Sequence, residues 1–264
     1  RIMVHPGSGV RFNSLFVEQE PGAVLLSGEF RRPGVYNIRR GETLTELIER
    51  AGGLTNQAYP YGAVFTRERV RQAQQDGFKR TERELNMGLA TAALKQRELN
   101  AEVLVAAQQL AERIATTEAL GRVVTEVDPA ALELRPEADT VLEPGDQIHI
   151  PKRPNYVLIL GDVLNPGAVQ FEAGKNVQDY ISEAGGIQRT ADKGRLFVVL
   201  PNGVARPVRM SSWTRSDNLM VPPGASIIVP KDVEPLDTLM LVRDLTAILS
   251  QLAVSAASIA VITR

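Results

Sequence analysis

The chain has 264 residues, enough for two or three domains. Its 30 basic and 31 acidic side chains nearly cancel, so it lacks the electrostatic signature of a nucleic-acid binder. Cysteine is absent, which excludes thiolate metal sites, disulfides and a cysteine nucleophile while saying nothing of compartment.

Residues 1–22 read as a lead-in from an upstream domain. They alternate weakly, hold one short strand over Ser14–Val17 and end at Pro21-Gly22. They show no signal-peptide pattern.

Residues 23–152 form the first of two related units. An apolar run, Val24–Leu26, meets Gly28, as at a bulge or a close backbone approach. Pro33-Gly34 carries the signature of a type II turn, and a strand over Val35–Ile38 completes a hairpin. A short helix follows. Thr43 is its N-cap, with Glu46 three residues on as in a capping box. Leu44, Leu47, Ile48 and Ala51 share one helical face, and Gly52-Gly53 ends the helix before a strand over Ala63–Thr66.

An insertion then runs from about 67 to about 120, rich in strong helix formers. Leu85, Leu89, Ala92, Leu99, Val103, Ala106, Leu110 and Ile114 recur close to helical period. Asp76-Gly77 marks an early break, giving two helices of unequal length, and Gly121 stops the run. Two readings stand: a solvated arm with one packed face, or a contact with another subunit or a periplasmic partner. Mixed charges such as Arg67, Glu68, Arg69 and Arg71 resemble a solvent face laced with ion pairs. A strand over Arg122–Val127 and a loop begun by Asp128-Pro129 lead to the closing phrase Leu142-Glu-Pro144-Gly145-Asp146-Gln-Ile148-His-Ile150.

Residues 153–231 repeat the unit. Gly161, Pro166, Gly174 and Ala184 each stand 133 residues after Gly28, Pro33, Gly41 and Ala51. An internal repeat of this kind sets the architecture. Pro166-Gly167 repeats the turn, Asn176 the N-cap, Val177, Tyr180, Ile181 and Ala184 the apolar face, and Gly185-Gly186 the stop. The strand over Leu196–Leu200 precedes a second closing phrase, Pro223-Gly224-Ala-Ser-Ile227-Ile-Val229. The offset there has dropped from 133 to 79, so the first unit carries 54 residues that the second lacks. The short, proline-bounded Pro151-Lys-Arg-Pro154 joins the units at a nearly fixed angle.

Residues 232–264 form a C-terminal helix. Leu245–Thr263 contains no charge, and in a helix that length spans about 28 Å, near the thickness of a hydrocarbon core. Leu241, Leu245, Ile248, Leu252, Ile259 and Ile262 fall on one stripe; Thr246, Ser250, Ala253, Ala257 and Ala260 fall on another. A ring of such helices places the large stripe toward lipid and the small one toward neighbours or a lumen. A helix packed on the second unit and an inner-membrane anchor are the competing readings.

The phrase G-[ED]-[FV]-x-x-P-G, the helix ending in A-G-G-[LI], and the closing P-G-[DA]-x-I-x-[IV] resemble the SLBB domain, the soluble ligand-binding β-grasp fold. Two such units before an apolar C-terminal helix resemble the outer-membrane polysaccharide export proteins, the Wza and KpsD group. The likeness runs from about 15 to 264 and departs in three places. These are Ala225-Ser226 in the second closing phrase, the long insertion, and the missing N-terminal export domain, which suggests a C-terminal portion of a longer chain. The resemblance implies an α+β fold: two tandem β-grasp domains, the first with a helical insertion, then an amphipathic transmembrane helix. It also implies a homo-oligomeric ring in the outer membrane with periplasmic domains, passing polysaccharide and meeting an inner-membrane polysaccharide co-polymerase or transporter.

No catalytic residue, metal ligand set or cofactor site is expected. His5 and His149 lie in unrelated contexts, and His149 is expected to face solvent or an interface. Asp146 and Glu29 read as turn residues, and Trp213 as a packing residue. Arg31-Arg32 reads as a solvated turn or a contact for anionic sugar. No P-loop, nucleophile elbow or dinucleotide fingerprint occurs. The leading expectation is a non-enzymatic export conduit. A soluble periplasmic carbohydrate-binding or assembly module is the alternative, and an enzyme subunit using the same scaffold is disfavoured.

Overall fold

The computed structural model describes residues 22–95, 101–208 and 219–232. The strand at Ser14–Val17, His5, Trp213 and the C-terminal helix with both of its stripes lie outside the described residues.

The fold is α+β, with one five-stranded sheet in each repeat. In the first, β1 (Ala23–Gly28) pairs antiparallel with β2 (Gly34–Asn37) and parallel with β5 (Gln147–Ile150). Beyond β5 lie β3 (Val64–Thr66) and β4 (Arg122–Val123), both antiparallel, for an order β2-β1-β5-β3-β4. The second repeat gives β6 (Tyr156–Gly161), β7 (Gly167–Gln170), β8 (Leu196–Val199), β9 (Ala205–Val208) and β10 (Ser226–Val229) in the equivalent order β7-β6-β10-β8-β9.

The repeated helix packs on each sheet. Helix α1 (Leu44–Arg50) has a full capping box: Glu46 N–H donates to Thr43 Oγ1, and Thr43 N–H to the Glu46 carboxylate. Its Leu44, Leu47 and Ile48 bury against Val24, Leu26, Phe65, Ile148 and Ile150. The second repeat has α5 (Val177–Glu183), capped by Asn176 and Asp179 and burying Val177, Tyr180 and Ile181. These alternating apolar positions, on strands and helix alike, supply each core.

Three local expectations are corrected. Pro33-Gly34 does not sit at the centre of a tight turn: Gly34 already pairs with Leu26 in the ladder, and Gly167 has no positive φ. The bend falls earlier, at Gly28 and Gly161, with φ of 82° and 92°. A Cβ there would stand 2.1 Å from the Ile150 oxygen or 2.0 Å from the Val229 oxygen. The loop then pairs with the helix exit, through Arg31 N–H on Gly53 O and a bridge between Phe30 and Leu54. Second, α2 (Glu68–Lys95) continues through Asp76-Gly77, and the second of the two unequal helices is α3 (Ala101–Thr116). Third, the strand expected to reach Val127 ends at Val123. Asp128-Pro129 opens a helix, α4 (Pro129–Leu134), with Asp128 capping the Ala130 N–H and proline at the first turn.

The pairings place the insertion. Phe65 and Val198 are offset by 133, but their β-partners Val123 and Arg206 by only 83, so 50 extra residues lie between β3 and β4. In the second repeat β8 and β9 are joined by a tight turn at Leu200–Val204, closed by Leu200 N–H on Val204 O at 2.8 Å. The helical arm thus replaces one hairpin turn.

Candidate functional site: the joints of the tandem and its arginine-rich loop face

Arg67 lies between β3 and α2, its N–H on Gly121 O and its carbonyl taking the Arg71 N–H, so its backbone is fixed from both sides. Its guanidinium is bidentate on Asp146, Nε to Oδ1 at 2.9 Å and Nη2 to Oδ2 at 2.8 Å. It also meets Glu143 at 2.9 Å and the Val141 carbonyl at 2.8 Å. Asp146 is fully buried and also accepts the Glu143 N–H. Its hydrogen bonds raise the Arg67 pKa above the usual arginine range. Asp146 is therefore more than a turn residue. The arm's foot is pinned a second way: Gln75 Nε2 donates to Thr117 O, while Gln75 and Gln74 accept from the Ala119 and Gly121 N–H groups.

The joint between repeats lies at the opposite end of the first sheet. Pro151 O accepts the Tyr59 N–H at 2.9 Å and Gln57 O accepts the Arg153 N–H at 3.1 Å, which straps the linker to the preceding loop. The Tyr59 hydroxyl crosses to Pro223 O at 3.1 Å. Burial is the main cause that pushes its pKa up to about 12. Arg122 bridges the same gap, donating to Ala63 O at 3.4 Å and Pro201 O at 3.0 Å. Burial lowers its pKa, and no carboxylate among the described residues pairs with it. The repeats stack end to end. The linker leaves the first sheet where β5 ends, and Lys231 leaves the second where β10 ends, bridging Ala191 as Lys152 bridges Ala58. The arm's foot and Lys231 thus lie at opposite ends of the stack.

A third feature is the loop face around α1. Arg32 donates to the carbonyls of Arg50 and Ala51, capping the helix C-terminus, and Arg31 Nε donates to Leu54 O at 3.2 Å. The Tyr36 hydroxyl donates to Arg32 O at 2.6 Å, and the Arg50 guanidinium lies 5.4 Å from the Tyr36 ring centre. Arg50 pairs with buried Glu42 at 2.9 Å. The equivalent pair in the second repeat is Glu183 with Lys175, the charges exchanged.

The remaining sequence-marked residues are scaffold. Pro33 and Pro166 precede β2 and β7; Gly52-Gly53 and Gly185-Gly186 end α1 and α5; Pro144-Gly145 and Pro223-Gly224 turn into β5 and β10. His149 is half-buried and alternates with the buried Ile148 and Ile150, with Nδ1 3.0 Å from Ser27 Oγ; burial lowers its pKa. Glu29 accepts the Thr55 hydroxyl, as Asp162 accepts that of Thr190 at 2.6 Å. Among the described residues no group of three metal-binding side chains forms, and no helix is long and apolar enough to cross a membrane. Sequence reading missed Tyr59, Arg67 and Arg122 as joints. One signal was present for Arg67: Asp146 occurs in the repeat with the arm, and Ala225 replaces it in the repeat without.

Residues 24–71 match the SLBB domain family. The chain carries an SLBB domain. Residues 165–253 match a second family, the capsule biosynthesis GfcC C-terminal domain. A stretch of 117 residues, 44% of this chain, is 34% identical to a polysialic acid transport protein KpsD of Escherichia coli. A second KpsD sequence from the same organism is 33% identical over 117 residues. The aligned stretch is only 19% of either relative's length. The match of SLBB and capsule families to successive repeats parallels the internal repeat seen in the two sheets.

Proposed function

We propose that this chain is a subunit of a polysaccharide export conduit in a Gram-negative envelope. Both repeats are β-grasp domains in this reading, over residues 23–152 and 153–231. They stand in the periplasm as one wall element of a homo-oligomeric ring, and the segment 232–264 supplies a helix to an outer-membrane pore. The chain performs no catalysis; an inner-membrane co-polymerase or transporter drives the polymer.

The observation that carries the reading is the similarity to KpsD, a polysialic acid transport protein, joined to the SLBB and capsule-family matches. The end-to-end stack supports it physically. Cyclic repetition of a stiff two-domain post encloses a wide passage without a tight site. The placement of the arm's foot and Lys231 at opposite ends suits a post with one end at the outer membrane and the other facing inward. A soluble assembly module is the second reading, favoured by the GfcC match that continues from the second repeat to residue 253.

Export in cells tests the proposal. Cells lacking the gene are expected to hold their capsule polymer in the periplasm, and to regain surface polymer with the full-length gene but not with one ending at Pro235. Unchanged surface polymer in the deletion strain would overturn it.

A further inference from the structure

The two repeats offer an internal comparison of surface chemistry on one scaffold. With the 133-residue offset held, Arg31, Arg32, Arg39, Arg40 and Arg50 of the first repeat stand where the second has Leu164, Asn165, Glu172, Ala173 and Glu183. The intervening Glu42 stands where the second repeat has Lys175. The set of six carries net +4 in the first repeat and net −1 in the second, a difference of five charges at matched places. The fold forms with Leu164, Asn165, Glu172 and Ala173 at the places of Arg31, Arg32, Arg39 and Arg40, whereas Arg50 is the structural partner of Glu42, as Glu183 is of Lys175.

Arg31, Arg32, Arg39 and Arg50 gather on one face, around the exit of α1 and Glu42. Arg32 touches the α1 C-terminus, Tyr36 bonds Arg32, Arg50 lies over Tyr36, and the Arg39 N–H meets Glu42 at 2.8 Å. Arg31, Arg32 and Arg39 are exposed. None of the three pairs with a carboxylate among the described residues, and the Nη groups of Arg31 and the Arg39 guanidinium have no acceptor among them. Glu42 is spent on Arg50, and Glu46 on the N-cap of α1, leaving Glu49 as the acidic side chain exposed on the helix beside the patch. Guanidinium forks held by carbonyl bonds, with donors left over, match repeated carboxylates better than neutral hydroxyls.

We propose that this arginine face of the first repeat is a contact site for a polysaccharide carrying a carboxylate on its sugar residues. The inference rests on the export reading and names the polymer's charge class. In a ring the face recurs once per subunit, so weak contacts add along one long chain while each releases easily. At the matched places of the second repeat Glu172 and Glu183 both pair with Lys175, so that face offers the polymer none of these guanidinium groups.

The test uses the full-length protein, with polysialic acid as the carboxylated probe, dextran of similar length as the neutral one, and phosphatidylglycerol vesicles as an acidic lipid surface. Binding is measured by retardation in affinity electrophoresis over a series of salt concentrations. Polysialic acid is expected to retard the protein, with a response that weakens at high salt, and dextran is not. The double variant R31L/R39E, which installs the second repeat's own residues, is expected to lose at least tenfold in affinity with an unchanged melting temperature. The reciprocal L164R/E172R is expected to gain affinity, and reads the same property should the first variant fold poorly. Equal retardation of wild type and R31L/R39E, equal response to dextran, or preference for the vesicles would overturn the site. These outcomes are separate from the conduit itself: a monomer that binds polysialic acid through these arginines keeps the site and loses the pore, and a ring that ignores the polymer does the reverse.

Discussion

Arg67 grips Asp146 through two nitrogens, at 2.9 and 2.8 Å, and that one pair joins the helical arm to the sheet it interrupts. Asp146 has no exposed surface, and the Arg67 guanidinium is its charged partner. Arg67→Ala is expected to cost about 3–5 kcal/mol, the usual effect of stranding a buried ion. Adding Asp146→Ala should recover much of that loss, because Ala225 fills the same place in the second repeat. Urea unfolding of the two single variants and the double variant measures the coupling; additive losses would contradict the pairing.

The arm itself is dispensable to the sheet in this account. Replacing residues 67–121 with the Pro201-Asn202-Gly203 turn sequence is expected to leave a folded repeat only when Asp146→Ala accompanies it. Circular dichroism and thermal melting of the two shortened proteins decide the point. A stable shortened protein that keeps Asp146 would show that the carboxylate finds water or another partner.

Gly28 and Gly161 are required by geometry, since a Cβ would meet a carbonyl oxygen at 2.1 or 2.0 Å and φ is positive. Alanine at either site is expected to cost more than about 2 kcal/mol. Gly53 also has positive φ but faces open space, so Gly53→Ala should cost only about 1 kcal/mol. Equal losses at Gly28 and Gly53 would mean that the close approach to Ile150 relaxes freely.

Burial lowers the His149 pKa below its ordinary 6.5, so the folded state favours the neutral ring. The unfolded chain then binds the extra proton first. This contribution is fully present above pH 6.5 and is lost as pH falls from there through the lower folded value. The difference in unfolding free energy between wild type and His149→Gln is expected to fall with pH across that window and to level off below it. A difference that stays flat from pH 8 to pH 5 would contradict it.

The joint between repeats is expected to be stiff because Tyr59 and Arg122 cross it. Tyr59→Phe should cost about 1 kcal/mol through one lost hydrogen bond. Arg122→Leu should broaden the inter-repeat distances seen by small-angle scattering, and split one melting transition into two. An unchanged scattering profile would place the stiffness in the proline linker alone.

Local signals read well where the backbone decided the outcome. The repeat register, both N-caps, the apolar helix faces and the double-glycine stops are short-range, and each has a counterpart at the matched position in the structure. The arm's division was misread because a local break signal at Asp76-Gly77 lost to packing. Gln74 and Gln75, directly beside it, tie the start of α2 to the returning chain at 117–121, so the helix there is held from the side. Asp128-Pro129 was ambiguous in principle, since the same pair opens loops and caps helices. The joints were illegible for a different reason: Arg67, Tyr59 and Arg122 act on partners 79, 164 and 79 residues away, and no spacing rule reaches so far.

Electron microscopy of the full-length protein, extracted from membranes in detergent and set beside a version ending at Pro235, tests the conduit most directly. The account predicts closed rings whose narrow membrane-embedded end is lost on truncation. Monodisperse monomers from the soluble fraction, unchanged by the cut, would contradict it and leave the assembly module.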